Sequence, residues 1–154
     1  MSLIEEKIKS LGIVLPSVPE PVANYVPAVI TGNLLYTSGL GPAADSEGKV
    51  MTGRIGRNLT VDEGYEAARL TGINALSRIK GTLGDLDRIR RVVKLLVMVN
   101  CDYEFQDHPL VANGCSDLMV EIFGERGHHA RSAVGMGSLP HNMPVEIELI
   151  VEIA

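Results

Sequence analysis

Apolar positions repeat along this chain with two periods, one helical and one extended. Leu3, Ile4, Ile8 and Leu11 recur at helical spacing behind Ser2 and Glu5, which form a capping box, and Gly12 ends the run, so a short amphipathic helix is predicted over 3–11. Pro16, Pro19, Pro21 and Pro27 then remove backbone donors and bias the residues before them towards extended backbone, so 13–27, with Tyr25 in it, reads as an ordered surface arm. Residues 28–31 and 34–38, Ala-Val-Ile-Thr and Leu-Leu-Tyr-Thr-Ser, flank Gly32-Asn33 and predict a tight hairpin. The glycines from Gly39 to Gly56 mark a loop with at most one short strand, around Lys49–Thr52. Thr60 and Glu63 form a second capping box, and Tyr65, Ala68, Ile73, Leu76 and Ile79 predict a helix of about twenty residues from Val61, stopped by Gly81 and Gly84.

Arg91 to Val99 is apolar at both parities, a pattern that requires cover on both faces of a sheet. Asp107 and Pro109 open a further helix, with Val111, Cys115, Leu118, Met119, Ile122 and Phe123 apolar and Gly124 as its stop. In Val145–Ile153 the odd positions are all aliphatic, while the even ones carry Glu146, Glu148 and Glu152. The order hairpin, helix, strand, helix, strand, strand predicts an α+β fold: one sheet with helices on one face, its other face meeting another subunit. No internal repeat or linker divides residues 1–154, which read as a single domain.

Charge and cysteine content narrow the function. Fourteen Lys+Arg against 19 Asp+Glu give a net charge of -5, which argues against nucleic acid and anionic membranes as partners. Cys101 and Cys115 read as buried thiols in a reducing compartment. The acidic start Ser-Leu-Ile-Glu-Glu-Lys does not fit a signal peptide, and no apolar run approaches the roughly 20 residues of a membrane span, so a cytoplasmic protein is expected. Asn58-Leu59-Thr60 matches a glycosylation sequon by chance, since Thr60 is the helix cap.

Arg131 heads a predicted strand beside glycine-rich sequence and is the candidate for holding a carboxylate bidentately, with the backbone N–H groups near Ala133 and Gly39 as further donors. The alternative is an ion pair with Glu146 or Glu148 in the next strand. His128 and His129 are adjacent in extended sequence and point apart, with His108 and His141 distant, so no metal site is expected. Arg88-Ile89-Arg90-Arg91 marks a solvent-facing lead into a strand. No Ser/His/Asp order, Walker loop or dinucleotide glycine motif is present.

Tyr25-Val26, the run Gly32-Asn33-Leu34-Leu35-Tyr36-Thr37-Ser38-Gly39, then Ala130-Arg131-Ser132, Leu139-Pro140 and Val145-Glu146-Ile147-Glu148 resemble, in order and spacing, the reactive-intermediate deaminase family (Rid, YjgF-like), also labelled endoribonuclease L-PSP. The resemblance spans residues 20–154. It implies a chorismate-mutase-like fold, a homotrimer with a central β-barrel, and clefts between subunits in which small enamines or imines derived from amino acids are hydrolysed to 2-oxo acids and ammonia without a cofactor. In that reading Arg131 holds the substrate carboxylate, Glu146 positions the water, and Tyr25, Ser38, Gly39 and Asn113 complete the cleft; geometry alone does not separate Glu146 from Glu148. Non-catalytic binding of a small carboxylate or 2-oxo acid is the alternative, and ribonuclease activity a distant third. The sequence departs from the family pattern at three places: Ala133 stands where Cys is frequent, Gly-His-His-Ala replaces Phe-Pro-Ala before Arg131, and the helix and arm of residues 1–19 are an extension.

Overall fold

Local signals place most of the elements, and tertiary contacts complete them. The computed structural model describes residues 2–20 and 23–154; Met1 and the arm's Pro21 lie outside the described residues. The chain forms α1 (Leu3–Ser10), β1 (Ala28–Thr31), β2 (Leu34–Thr37), α2 (Val61–Leu83), β3 (Ile89–Asn100), α3 (His108–Phe123), β4 (Ala130–Met136) and β5 (Val145–Ile153). Thr60 and Glu63 close both hydrogen bonds of the predicted capping box at the head of α2, which runs through Gly81 and stops at Gly84. At α1 only half the predicted box forms. Ser2 Oγ accepts from Glu5 N–H, but the Glu5 carboxylate pairs with Lys80 of α2 at 2.8 Å. The free N–H groups of Leu3 and Ile4 donate instead to the Asp87 carboxylate, each at 2.8 Å, and these bonds hold Asp87 below the usual carboxylate range.

The strand expected around Lys49–Thr52 does not form. Asp45 gathers this segment into a turn, its N–H donating to Lys49 O while its carboxylate accepts from Glu47 and Lys49. Extended pairing appears a few residues later as isolated bridges from Ile55 to Leu59 and Cys101. Beta propensity is realised only where a neighbouring strand has an open edge, and β3 is already flanked on both sides.

The five strands lie in the order β1-β2-β5-β3-β4, with β3 and β4 parallel and every other pair antiparallel. The alternation read in β5 is realised at the centre of this sheet. Val145, Ile147, Leu149 and Val151 are buried together with Leu35, Val92, Leu95, Val97 and Val99 beneath the helices. The opposite face carries Glu146, Glu148 and Ile150 alongside Tyr36, Leu96, Met98 and Val134, none of them fully buried. Helices thus cover one face of the sheet, while the other mixes apolar side chains with Glu146, Glu148, Glu152 and Lys94 and is open in the single chain.

On the covered face α2 packs against α3 through small residues. Gly64 and Gly72 are buried in this contact, and a Cβ on Gly114 of α3 would run into the Tyr65 carbonyl oxygen of α2. The close approach fixes which side of α3 faces β4. Among the described residues no helix is long and apolar enough to cross a membrane.

Candidate functional site

Arg131 is the second residue of β4, an edge strand, and stands beside Leu95 of β3 on the helix-covered face. Its guanidinium reaches α3, where NH1 donates to Asn113 Oδ1 at 2.8 Å and to Ser116 Oγ at 3.1 Å. NH2 makes only a long contact of 3.5 Å with the Pro109 carbonyl oxygen. The expected alternative, a pair with Glu146 or Glu148, is overturned by register. Arg131 lies beside Leu95 and Glu146 beside Met98, three positions apart along β3 and so on opposite faces of the sheet. Arg131 is therefore held by neutral acceptors on its NH1 side, and its Nε–NH2 edge is the one a carboxylate can take bidentately. Ala133, two residues further along the same edge strand, is half-buried.

The other candidates gather around β2 and β5. Ser38 donates from its backbone N–H to Pro27 O and from Oγ to Val26 O, which ties the end of the hairpin to the arm. Tyr25, Ser38 and Gly39 line a cavity of about 200 Å³ with Pro19, Leu40 and Arg78. A Cβ at Gly39 would collide with Glu146 Oε1, so the missing side chain is what lets the carboxylate lie flat against the backbone. Burial raises the Glu146 carboxyl above its ordinary value, and the nearby Glu148 charge adds to the shift. Glu148 is exposed. The structure thus brings Tyr25, Ser38, Gly39 and Glu146 together, brings Arg131 together with Asn113, and does not bring these two groups together within one chain.

Two residues beside Arg131 were missed by sequence reasoning. His129 Nδ1 lies 2.6 Å from the Gly127 carbonyl oxygen, which places the proton on Nδ1 and leaves Nε2 as an acceptor. Ser116 Oγ is 2.8 Å from Nε2 and donates to it. Burial pushes the half-buried imidazole below the usual histidine range, and Arg131 and His128 add to the effect against the opposing Gly127 bond. Ser116, His129 and Arg131 line a groove of about 590 Å³ that also touches Val120, Glu121 and His128. Spacing carries a faint signal for this grouping: Ser116 follows Asn113 by one helical turn, and His129 precedes Arg131 by two strand positions. Among the described residues no three His, Cys, Asp or Glu side chains gather as a metal-ligand set.

Residues 5–153 match the family described as "YjgF/chorismate_mutase-like, putative endoribonuclease". The chain is 45% identical to Protein TCP17 of Trypanosoma cruzi over 151 residues, covering 97% of this chain and 94% of that protein. It is 33% identical to the 2-iminobutanoate/2-iminopropanoate deaminase of Dermatophagoides farinae over 138 residues, covering 90% and 92%. Among solved structures, the protein Atu1372 of Agrobacterium tumefaciens, described as of unknown function, superposes with a TM-score of 0.89 at 49% identity, over 99% of this chain and 94% of that one. The match along almost the whole length, on a sheet with helices on one face, means that the chain belongs to the YjgF/chorismate-mutase-like family, in which the Rid deaminases also fall.

Proposed function

We propose that this protein hydrolyses small enamines or imines derived from amino acids to 2-oxo acids and ammonia, in clefts between the subunits of a cytoplasmic homotrimer with a central β-barrel. One observation supports the reading: Arg131 and Glu146 occupy opposite faces of one sheet, so a single chain does not bring them together and a cleft between subunits would. A cleft holding both takes Arg131, Asn113 and Ala133 from one subunit and Tyr25, Ser38, Gly39 and Glu146 from its neighbour. The open face of the sheet is the surface that such an assembly buries.

In this cleft the substrate carboxylate lies on the Nε–NH2 edge of Arg131, which fixes the imine carbon relative to the facing carboxylate. Glu146, whose carboxyl is raised above its ordinary value, takes a proton from water as the water oxygen bonds to that carbon, the C=N electron pair moves to nitrogen and the nitrogen takes a proton from solvent. In the carbinolamine so formed the nitrogen takes the proton held by Glu146, the hydroxyl gives its proton to solvent as the carbonyl forms, and the C–N bond breaks to release ammonia. Kinship with a named 2-iminobutanoate/2-iminopropanoate deaminase supports the chemistry.

The test supplies purified protein with imines generated by an amino-acid oxidase from a panel of amino acids, and follows imine decay and ammonia release. Faster decay with matching ammonia supports deamination. Saturable binding of 2-oxo acids with no acceleration for any imine overturns it in favour of a carboxylate-binding protein.

A further inference from the structure

The groove beside Arg131 contains an arrangement that imine hydrolysis does not use. Ser116 Oγ donates to His129 Nε2 at 2.8 Å, and His129 is oriented in turn by its Nδ1–H on the Gly127 carbonyl at 2.6 Å. A hydroxyl bonded to a base whose tautomer is fixed by a third group is the geometry of an activated nucleophile, here with a backbone carbonyl as the third member. Arg131 NH1 is 3.1 Å from the same Ser116 oxygen, so a fixed cation stands beside the position where negative charge appears when the hydroxyl loses its proton. Asn113 Oδ1 holds that guanidinium from the preceding turn of α3. Ser116 and His129 are both only partly buried, and both face the groove of about 590 Å³, which has room for a small acyl compound.

We propose that Ser116 and His129 form a nucleophile–base dyad and that the groove accepts small acyl esters or thioesters, a second activity separate from imine hydrolysis. Ser116 Oγ bonds to the acyl carbon as its proton passes to His129 Nε2, and the carbonyl electron pair moves onto oxygen beside Arg131. The tetrahedral species collapses, the C–O or C–S bond breaks, and the leaving alcohol or thiol takes the proton from His129. Water then attacks the acyl-serine with His129 as base, releasing the carboxylic acid and restoring the Ser116 hydroxyl. No metal or redox partner is consumed at any stage.

Two probes test this on the full chain: p-nitrophenyl acetate in a rapid-mixing experiment, and a fluorophosphonate followed by peptide mass spectrometry. The expected result is a stoichiometric burst of nitrophenolate and a single phosphonyl adduct on Ser116. Ser116→Ala abolishes both, and His129→Gln slows acylation by roughly 100-fold or more. The acylation rate should rise with pH and level off below the usual histidine range, since burial, Arg131 and His128 disfavour the imidazolium. Asp117 and Glu121, the carboxylates facing the groove from α3, are engaged by Tyr65 and Arg69. Circular dichroism and melting temperature keep both variants accountable for folding, and Ser116→Cys offers a second folded form whose thiol should label in place of the hydroxyl. An adduct absent from the parent, located on Cys101 or another residue, or formed equally fast in His129→Gln overturns the dyad. Imine decay is measured on other substrates, so neither outcome depends on the deaminase reading.

Discussion

Arg131 was legible as a candidate from its place at the head of a strand beside glycine-rich sequence, whereas Glu146 is one of three acids on an otherwise aliphatic strand and was singled out by the family resemblance alone. Asn113 was named by the resemblance alone and Ser116 not at all, because the contacts of Arg131 with both depend on which face of α3 packs towards β4. Arg131→Lys keeps the charge and loses the fork that meets Asn113, Ser116 and a carboxylate at once, so imine hydrolysis should disappear while circular dichroism is unchanged. Activity within about twofold of the parent would remove Arg131 from the site. Glu146→Gln tests the opposite half. A carboxyl whose pKa is raised by folding binds its proton more tightly in the folded chain, so ionisation weakens folding as pH rises through the raised value. The glutamine variant should therefore melt above the parent at neutral pH, and the two melting curves should converge as pH falls through the carboxylate range. Its imine hydrolysis should drop by roughly 100-fold or more at neutral pH, with 2-oxo acid affinity little changed. If Glu148→Gln shows this loss instead, the exposed acid is the base.

Among the elements, the hairpin, the two long helices and the alternating β5 follow from turn, cap and period signals that act locally. The expected Lys49–Thr52 strand gave way to a turn gathered by Asp45, and the Glu5 half of a capping box went to Lys80, a partner distant in sequence. Gly114 shows the same limit from the other direction. Within α3 it costs helix propensity, and its value appears only once the Tyr65 carbonyl of α2 is seen against it. Gly114→Ala gains up to about 1 kcal/mol of helix propensity. It also forces a methyl group into backbone, for which overpacking costs of about 1–3 kcal/mol are usual. The net expectation is a destabilised chain, read as a lower denaturant midpoint. A stabilised variant would mean that α2 and α3 separate freely, and the orientation of Asn113 and Ser116 would then need another source.

For the whole molecule, the open face of the sheet makes assembly testable apart from catalysis. Leu96 stands between Glu148 and Ser132 on that face and is half-buried in one chain. Leu96→Arg places a cation opposite Glu148, which a lone chain tolerates, and charges a surface that the proposed trimer would bury. Sedimentation equilibrium should find the parent near three times 16.6 kDa and the variant near one. A parent that stays near the monomer mass at micromolar concentration would refute the shared cleft. The order β1-β2-β5-β3-β4 also has a temporal meaning, because its middle position belongs to the segment furthest along the chain. Until Val145–Ile153 arrives, the β1–β2 hairpin has no neighbour and the antiparallel edge of β3 has no partner. The pairing of β5 with β2 spans most of the chain, a topology that slows folding and leaves strand edges open during synthesis. A ribosome-bound chain halted before Val145 should therefore remain sensitive to protease and to chaperone capture, and release of the nine residues of β5 should be the event that closes the sheet.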